Sequence, residues 1–328
     1  MLLSLFGAIE SGIIYGIMAL GVYLTFRVLD FPDLTVDGSF VTGAGVAAIS
    51  IVNGVSPIVA TMLAIIAGFI AGCITGLLHT KGKINALLSG ILMMIALYSI
   101  NLRIMASPTV SLLGESTIFR QLQPLWSAVG LDSFFNGILQ LFGADRVPST
   151  WVIVFFMIVV VLIIKFLTDY FLKTEVGLAL RATGDNKRMI RSFSANTDNL
   201  IIVGVGISNA MVALSGALIA QHGGFADVQM GIGMIVIGLA SVIIGEALFG
   251  KKTIAIATIA VIGGAVIYRI VVTLALRVDF LETGDMKLIT AVLVIVALVA
   301  PKIMNARKEQ KRRLRKRAEL STQIEEAS

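Results

Sequence analysis

The chain has 328 residues, 57% of them hydrophobic and 14% charged, with a formal net charge of +6. Soluble domains carry about 25% charged residues, so the composition and a mean hydropathy of +0.95 exclude a soluble globular protein and mark a polytopic membrane protein. Its single cysteine, Cys73, excludes an intrachain disulfide and reads as a small core residue.

A spanning helix needs roughly 20 mostly apolar residues. Nine stretches meet that rule: 4–26, 36–52, 58–79, 84–105, 150–171, 200–221, 230–249, 253–276 and 288–304. The first lacks the basic flank and small-residue cleavage site of a signal peptide, so it reads as a retained span. An N-out, C-in arrangement gathers Lys81, Lys83, the cations of 173–191, Lys251, Lys252 and the tail from Lys302 to Arg317 on one side. That side is cytoplasmic by the positive-inside rule. The expected fold is therefore all-α, with a transmembrane domain over 1–304, an extracytoplasmic loop over 106–149, a cytoplasmic loop over 173–199 and a basic tail over 305–328.

In chain order, Glu10 falls about a third of the way along the first span, followed by Ser11 and Gly12. Charged or amide groups at membrane depth are functional candidates by default, although an ion pair or an inter-helix hydrogen bond explains any one of them equally well. After this span comes Asp30-Phe-Pro-Asp-Leu-Thr-Val-Asp-Gly-Ser39. Pro32 forbids helix continuation, Asp33 can cap a new helix, and Asp37, Gly38 and Ser39 begin it inside or just below the membrane. The stretch reads as an inner-face turn. Its pattern is met either by capping alone or by an Asp37 and Ser39 helix start that faces a pathway, in which case Asp37→Ala abolishes transport without unfolding the protein. The second and seventh spans are glycine-rich, which suits close packing or a broken helix. Asn85, Asn101 and Arg103 lie toward the ends of the fourth span, where snorkelling accounts for them. Within 106–149, the semi-apolar stretch 131–142 can lie in the membrane interface as an amphipathic helix. Further on, Ser208 and Asn209 are mid-span and Glu246 is near the inner end of its span.

Gly245-Glu-Ala-Leu-Phe-Gly-Lys251 fits the start of a phosphate-binding loop, but the next residue is Lys252 instead of Ser or Thr, and spans flank it where a strand and a soluble helix belong. A tight inner turn is the better reading. His79 and His222 fall at opposite faces, and no metal or nucleophile motif appears, so neither a metal site nor a catalytic residue is expected. The run Lys308 to Arg317 suits anionic headgroups, with a regulatory or nucleic-acid role as the other possibility. The overall basicity follows from topology, so no nucleic-acid partner is expected for the chain as a whole.

The loop 173–199 is too long for a simple connection between neighbouring spans. Good helix formers from Glu175 to Ala182, a turn at Gly184, Asp185 and Asn186, and a second short helix from Lys187 to Phe193 make two helices crossing at a corner. Val176, Leu178, Leu180, Met189 and Ile190 supply more apolar surface than an undocked loop carries. Its core, Gly177-Leu-Ala-Leu-Arg-Ala-Thr-Gly-Asp-Asn186, is similar to the coupling helix of ABC importer permeases of the branched-chain amino-acid type. The stretch from Asp30 to Phe40 and that from Gly224 to Gly250 resemble the subgroup of those permeases assigned to tryptophan, tyrosine or related hydrophobic substrates. The chain departs from the family form at Arg191-Ser-Phe-Ser-Ala-Asn196, where Gly-Ile-Asn or Gly-Val-Asn is expected, so that turn must be made differently.

The resemblance implies a bacterial inner-membrane permease subunit that hydrolyses nothing itself. ATP and magnesium belong to a partner ATPase, an extracytoplasmic binding protein delivers an aromatic or other hydrophobic amino acid, and a second copy completes the pathway within the lipid. Glu175, Gly177, Leu178, Arg181, Ala182, Gly184, Asp185, Asn186 and Met189 are the implied coupling residues, Arg181 and Asp185 the best polar ones; Glu175 equally suits a helix N-terminal charge. Glu10, Asp37, Ser39, Ser208, Asn209 and Glu246 are the pathway candidates. The rival readings are the same machinery carrying a nucleoside or sugar, and an ion-coupled secondary transporter.

Overall fold

Apolar runs placed in lipid must satisfy every backbone amide internally, so they fold as helices. The computed structural model describes residues 2–141, 147–192 and 196–276, with isolated helical positions between 288 and 310. Its elements are α1 (Leu2–Tyr23) continued by a π-turn (Leu24–Val28), α2 (Thr35–Val52), α3 (Pro57–Thr80), α4 (Ala86–Met105), β1 (Thr109–Ser111), α5 (Ile118–Val129), α6 (Leu131–Leu141), α7 (Val152–Lys173), α8 (Glu175–Ser192), α9 (Thr197–Gly223), β2 (Phe225–Asp227), α10 (Met234–Phe249) and α11 (Ile254–Ala275).

Among the described residues, seven helices are long and apolar enough to span a membrane. The chain is thus an all-α, multi-pass membrane protein. Six expected spans fall on α1 to α4, α7 and α9 within a few residues, and a seventh on α11. The stretch 230–249 differs: its helix, α10, has 16 residues and begins only at Met234. Gly233, with φ +88°, occupies the left-handed region and starts the helix there, so the preceding residues run as turns. The ninth stretch, 288–304, and the basic tail lie outside the described residues apart from scattered helical positions. In 106–149 the expected amphipathic helix is present as α6, and a second amphipathic helix, α5, precedes it.

α9 runs through the middle of the bundle against α1, α2 and α3. Hydrophobic attraction between helices is lost in lipid, so close approach of small residues must hold them. Gly68, Gly72 and Gly76 form one ridge on α3, and a Cβ at each would come within 2.3–2.7 Å of α9 atoms. At the α2 crossing, a Cβ on Gly43 would stand 2.0 Å from the Ala213 carbonyl oxygen. Polar bonds add to this packing: Ser208 Oγ donates to the Gly21 carbonyl at 2.6 Å and Ser215 Oγ to that of Ile14 at 2.9 Å. Asn101 does not snorkel. It is buried, with Nδ2 donating to the Gly38 carbonyl at 3.1 Å and Oδ1 accepting from Thr42 at 2.9 Å, and so ties α4 to α2.

The two ends of the bundle differ. At one, β1 and β2 pair antiparallel, with α5 beside them against α7 and α9. At the other, α8 packs on α7, α9 and the π-turn. Gly245, from the phosphate-loop lookalike, lies inside α10, where a Cβ would be 2.1 Å from the Ala260 carbonyl oxygen of α11. Gly250, at φ +82°, makes the turn between those helices.

Candidate coupling surface and pathway residues

α8 begins at Thr174, whose Oγ1 accepts from the Gly177 amide at 3.2 Å, and Glu175 in the first turn suits the helix dipole. A helix continuing to Ser192 is broken at Asn186, with φ −155° and ψ 88°. There the Asn186 Oδ1 accepts from the Met189 amide at 3.1 Å and caps the second segment. The corner expected at Gly184-Asp-Asn is therefore real, and Asn186 makes it.

Burial divides α8 into two faces. Gly177, Leu180, Thr183 and Ile190 point into the bundle. Gly177 lies against the end of α7, and Gly184 packs so closely on the π-turn that a Cβ would sit 2.1 Å from the Val28 carbonyl oxygen. Arg181 and Ala182 are half-buried, and Glu175, Asp185 and Asn186 are exposed. Val176, Leu178 and Met189 are 48%, 50% and 48% exposed, apolar side chains left uncovered on both segments of the corner. The departure from the family form falls on 193–195, outside the described residues, and only its two flanks can be followed. Asn196 Oδ1 accepts from the Asp198 and Asn199 amides, both at 3.1 Å, to cap α9, and Arg191 reaches Thr197 at 3.0 Å and Asp198 at 3.2 Å. Asn196→Ala should lower stability by about 1 kcal/mol, measured by thermal unfolding in detergent.

The stretch 30–39 runs from exposed Asp30 into the bundle. Asp33, Thr35 and Ser39 are fully buried. Asp33 Oδ1 accepts from the Thr35 amide at 2.9 Å, the cap expected of it, while Oδ2 accepts from Asn209 Nδ2 at 2.6 Å, deep in α9. Thr35 also meets Thr75 of α3 at 2.8 Å. The chain thus turns back into the bundle after the π-turn, and α2 starts below the surface. Asp37 reaches farther still: its two carboxylate oxygens accept from the Gly233 amide at 2.9 Å and the Ile235 amide at 2.8 Å. It caps α10, a helix that starts within the membrane domain and has no side-chain cap of its own. Anions at a helix N-terminus are favoured by its free amides and dipole.

The other pathway candidates separate. Ser208 and Asn209 are fully buried and spend their donors on α1 and on Asp33. Glu246 pairs with Arg27 of the π-turn at the α8 end. Glu10, near the opposite end, lies 4.0 Å from His222 Nε2, an ion pair when that imidazole is protonated. Beside it Arg269 donates to Ser11 Oγ at 3.1 Å and lies over the Tyr15 ring. One buried charge pair is absent from the sequence-based expectations: Lys165 and Asp169, i and i+4 on α7, are 2.6 Å apart, with Thr258 of α11 donating to Asp169 at 2.7 Å. Opposite charges four residues apart inside an apolar run were the available signal. Among the described residues no group of His, Cys, Asp and Glu is placed to hold a metal.

Comparison with known proteins agrees with this architecture. A tyrosine transport system permease protein of Clostridioides difficile is 43% identical over 295 residues, 90% of either chain. An uncharacterized protein of Rickettsia prowazekii is 35% identical over 207 residues, covering 63% of this chain and 64% of that one. No solved structure matches the chain. Residues 4–299, nearly the whole helical bundle, match the family described as the permease component of the branched-chain amino acid transport system, and the chain belongs to that family.

Proposed function

We propose that the chain is the membrane-embedded subunit of an ATP-driven importer for an aromatic or other hydrophobic amino acid. The observation that carries this reading is α8: a helical corner rigidly seated on three other elements, with Val176, Leu178 and Met189 left uncovered. Uncovered apolar side chains at one end of a membrane protein call for a partner, and a corner seated on three elements can transmit a partner's movement because its own contacts do not yield. The partner is a cytoplasmic ATPase that binds ATP and magnesium. An extracytoplasmic binding protein delivers substrate at the β1–β2 end, and two copies of the chain form the pathway in the bacterial inner membrane. Lys81, Lys83, Lys251 and Lys252 lie in turns at the α8 end, which supports an N-out, cytoplasmic-α8 orientation. The name of the Clostridioides relative supports tyrosine or a similar cargo.

Reconstitution tests the whole reading. Proteoliposomes carrying the permease, its ATPase and its binding protein should accumulate labelled tyrosine or tryptophan only when ATP is supplied. ATP-driven uptake of a nucleoside or sugar, with no amino-acid uptake, would move the cargo. Uptake by the permease alone on an ion gradient would replace the importer by a secondary transporter.

A further inference from the structure

Beside the Asp37 cap, between α2, α4 and the turns that lead into α10, lies a cleft of about 420 Å³. Sites for small organic ligands occupy roughly 300–1,000 Å³. Its walls are apolar, with Val41 of α2, Met94, Ile95 and Tyr98 of α4, and Val228 and Ile232 of the turns; Asp37 is the charged residue among the lining. We propose that this cleft receives the side chain of the transported amino acid and that Asp37 holds its ammonium group. This rests on the importer reading above and adds to it the place and the polarity of recognition.

Three observations fix the orientation. The amides that open α10 are the groups that would bind a carboxylate, and Asp37 already occupies those of Gly233 and Ile235. A substrate carboxylate brought there meets a like charge. An ammonium meets a carboxylate with lone pairs to spare, because two oxygens offer about four acceptor positions. Second, the apolar walls suit a ring or a branched chain, whereas each hydroxyl of a sugar or nucleoside buried there without a partner would cost free energy. Third, the cleft adjoins a chain break inside the membrane domain, where irregular backbone is tolerated because it lines a cavity and where transporters place their substrates. The amide of Asn101, which also borders the cleft, is engaged with Gly38 and Thr42 and holds the wall in shape.

Cysteine protection tests the assignment in the complete complex. Ile232→Cys is made on a Cys73→Ser background, which removes the one native thiol, and Ile95→Cys serves as a second reporter on the opposite wall. Both native side chains are more than half exposed. In proteoliposomes that import tyrosine, saturating tyrosine should slow maleimide labelling at each position at least five-fold, and ribose should not. Equal labelling with and without tyrosine, at both positions and in a complex that transports it, overturns the proposal. So does labelling that is slow in either condition, since a lipid chain then fills the cleft. Absence of any ATP-driven amino-acid uptake by the unsubstituted complex sinks the importer reading itself, a result distinct from transport without protection.

Discussion

With Leu178 and Met189 both changed to glutamate, the permease should still fold and insert, yet fail to co-purify with its ATPase and lose ATP-driven uptake. Both side chains are about half exposed, so the glutamates stay hydrated in the free permease, and such surface changes usually alter stability by no more than about 0.5 kcal/mol. Docking is another matter. An apolar patch that enters a groove sheds its water, and removing water from an unpaired carboxylate carries an effective penalty of several kcal/mol per ion. Even about 2 kcal/mol for each of the two weakens association roughly a thousand-fold. Leu180 and Ile190, on the buried face of α8, are the contrasting positions: a glutamate there should prevent folding instead. A double-glutamate permease that still binds its ATPase and transports would show that α8 is not the docking surface.

Asp37→Ala should also abolish transport, and lower stability with it. The substitution leaves the Gly233 and Ile235 amides without their acceptor. An unsatisfied buried donor costs about 1–3 kcal/mol, and because both bonds are only partly buried the loss should lie toward the low end of that range for each. Asp37→Asn separates the cap from the charge, since its amide oxygen still accepts hydrogen bonds but carries no charge. The asparagine variant should melt in detergent closer to the parent than the alanine variant does, while remaining poor in uptake. If alanine at this position melts with the parent and transports at the parental rate, Asp37 neither holds α10 nor meets the substrate. The sequence alone led to lost transport in an intact protein; the destabilisation arises from bonds to residues almost two hundred positions away.

How far the sequence could be read depends on the range of each signal. Span positions depend on local hydropathy, and seven of them stand within a few residues of expectation. The corner in α8 was legible because Gly184, Asp185 and Asn186 are local turn formers, and its exposed apolar side chains because the loop carries more of them than an undocked loop would. The long-range partners were not legible. Pro32 and Asp33 announce a helix break, and nothing within reach of that stretch says that the break is buried against Asn209, 176 residues later. The late start of α10 was half legible, since the glycine-rich seventh span suited a broken helix but the Asp37 cap is a tertiary contact. Lys165 and Asp169 were missed because the run around them is so apolar that its average hydropathy stays high despite two charged residues.

The bonds of Asp33 and Asp37 also set a timetable for the growing chain. Their partners come 176, 196 and 198 residues later. At about 5–20 residues per second, translation reaches them on the order of ten seconds or more after the aspartates emerge. During that interval α2 has neither its α9 neighbour nor the helix it caps, and two carboxylates must wait in water or be shielded by the insertion machinery. Final seating of the amino-terminal third is thus a late event, and a chain stopped before α9 should remain accessible to protease around residues 30–39 when the full-length permease is not.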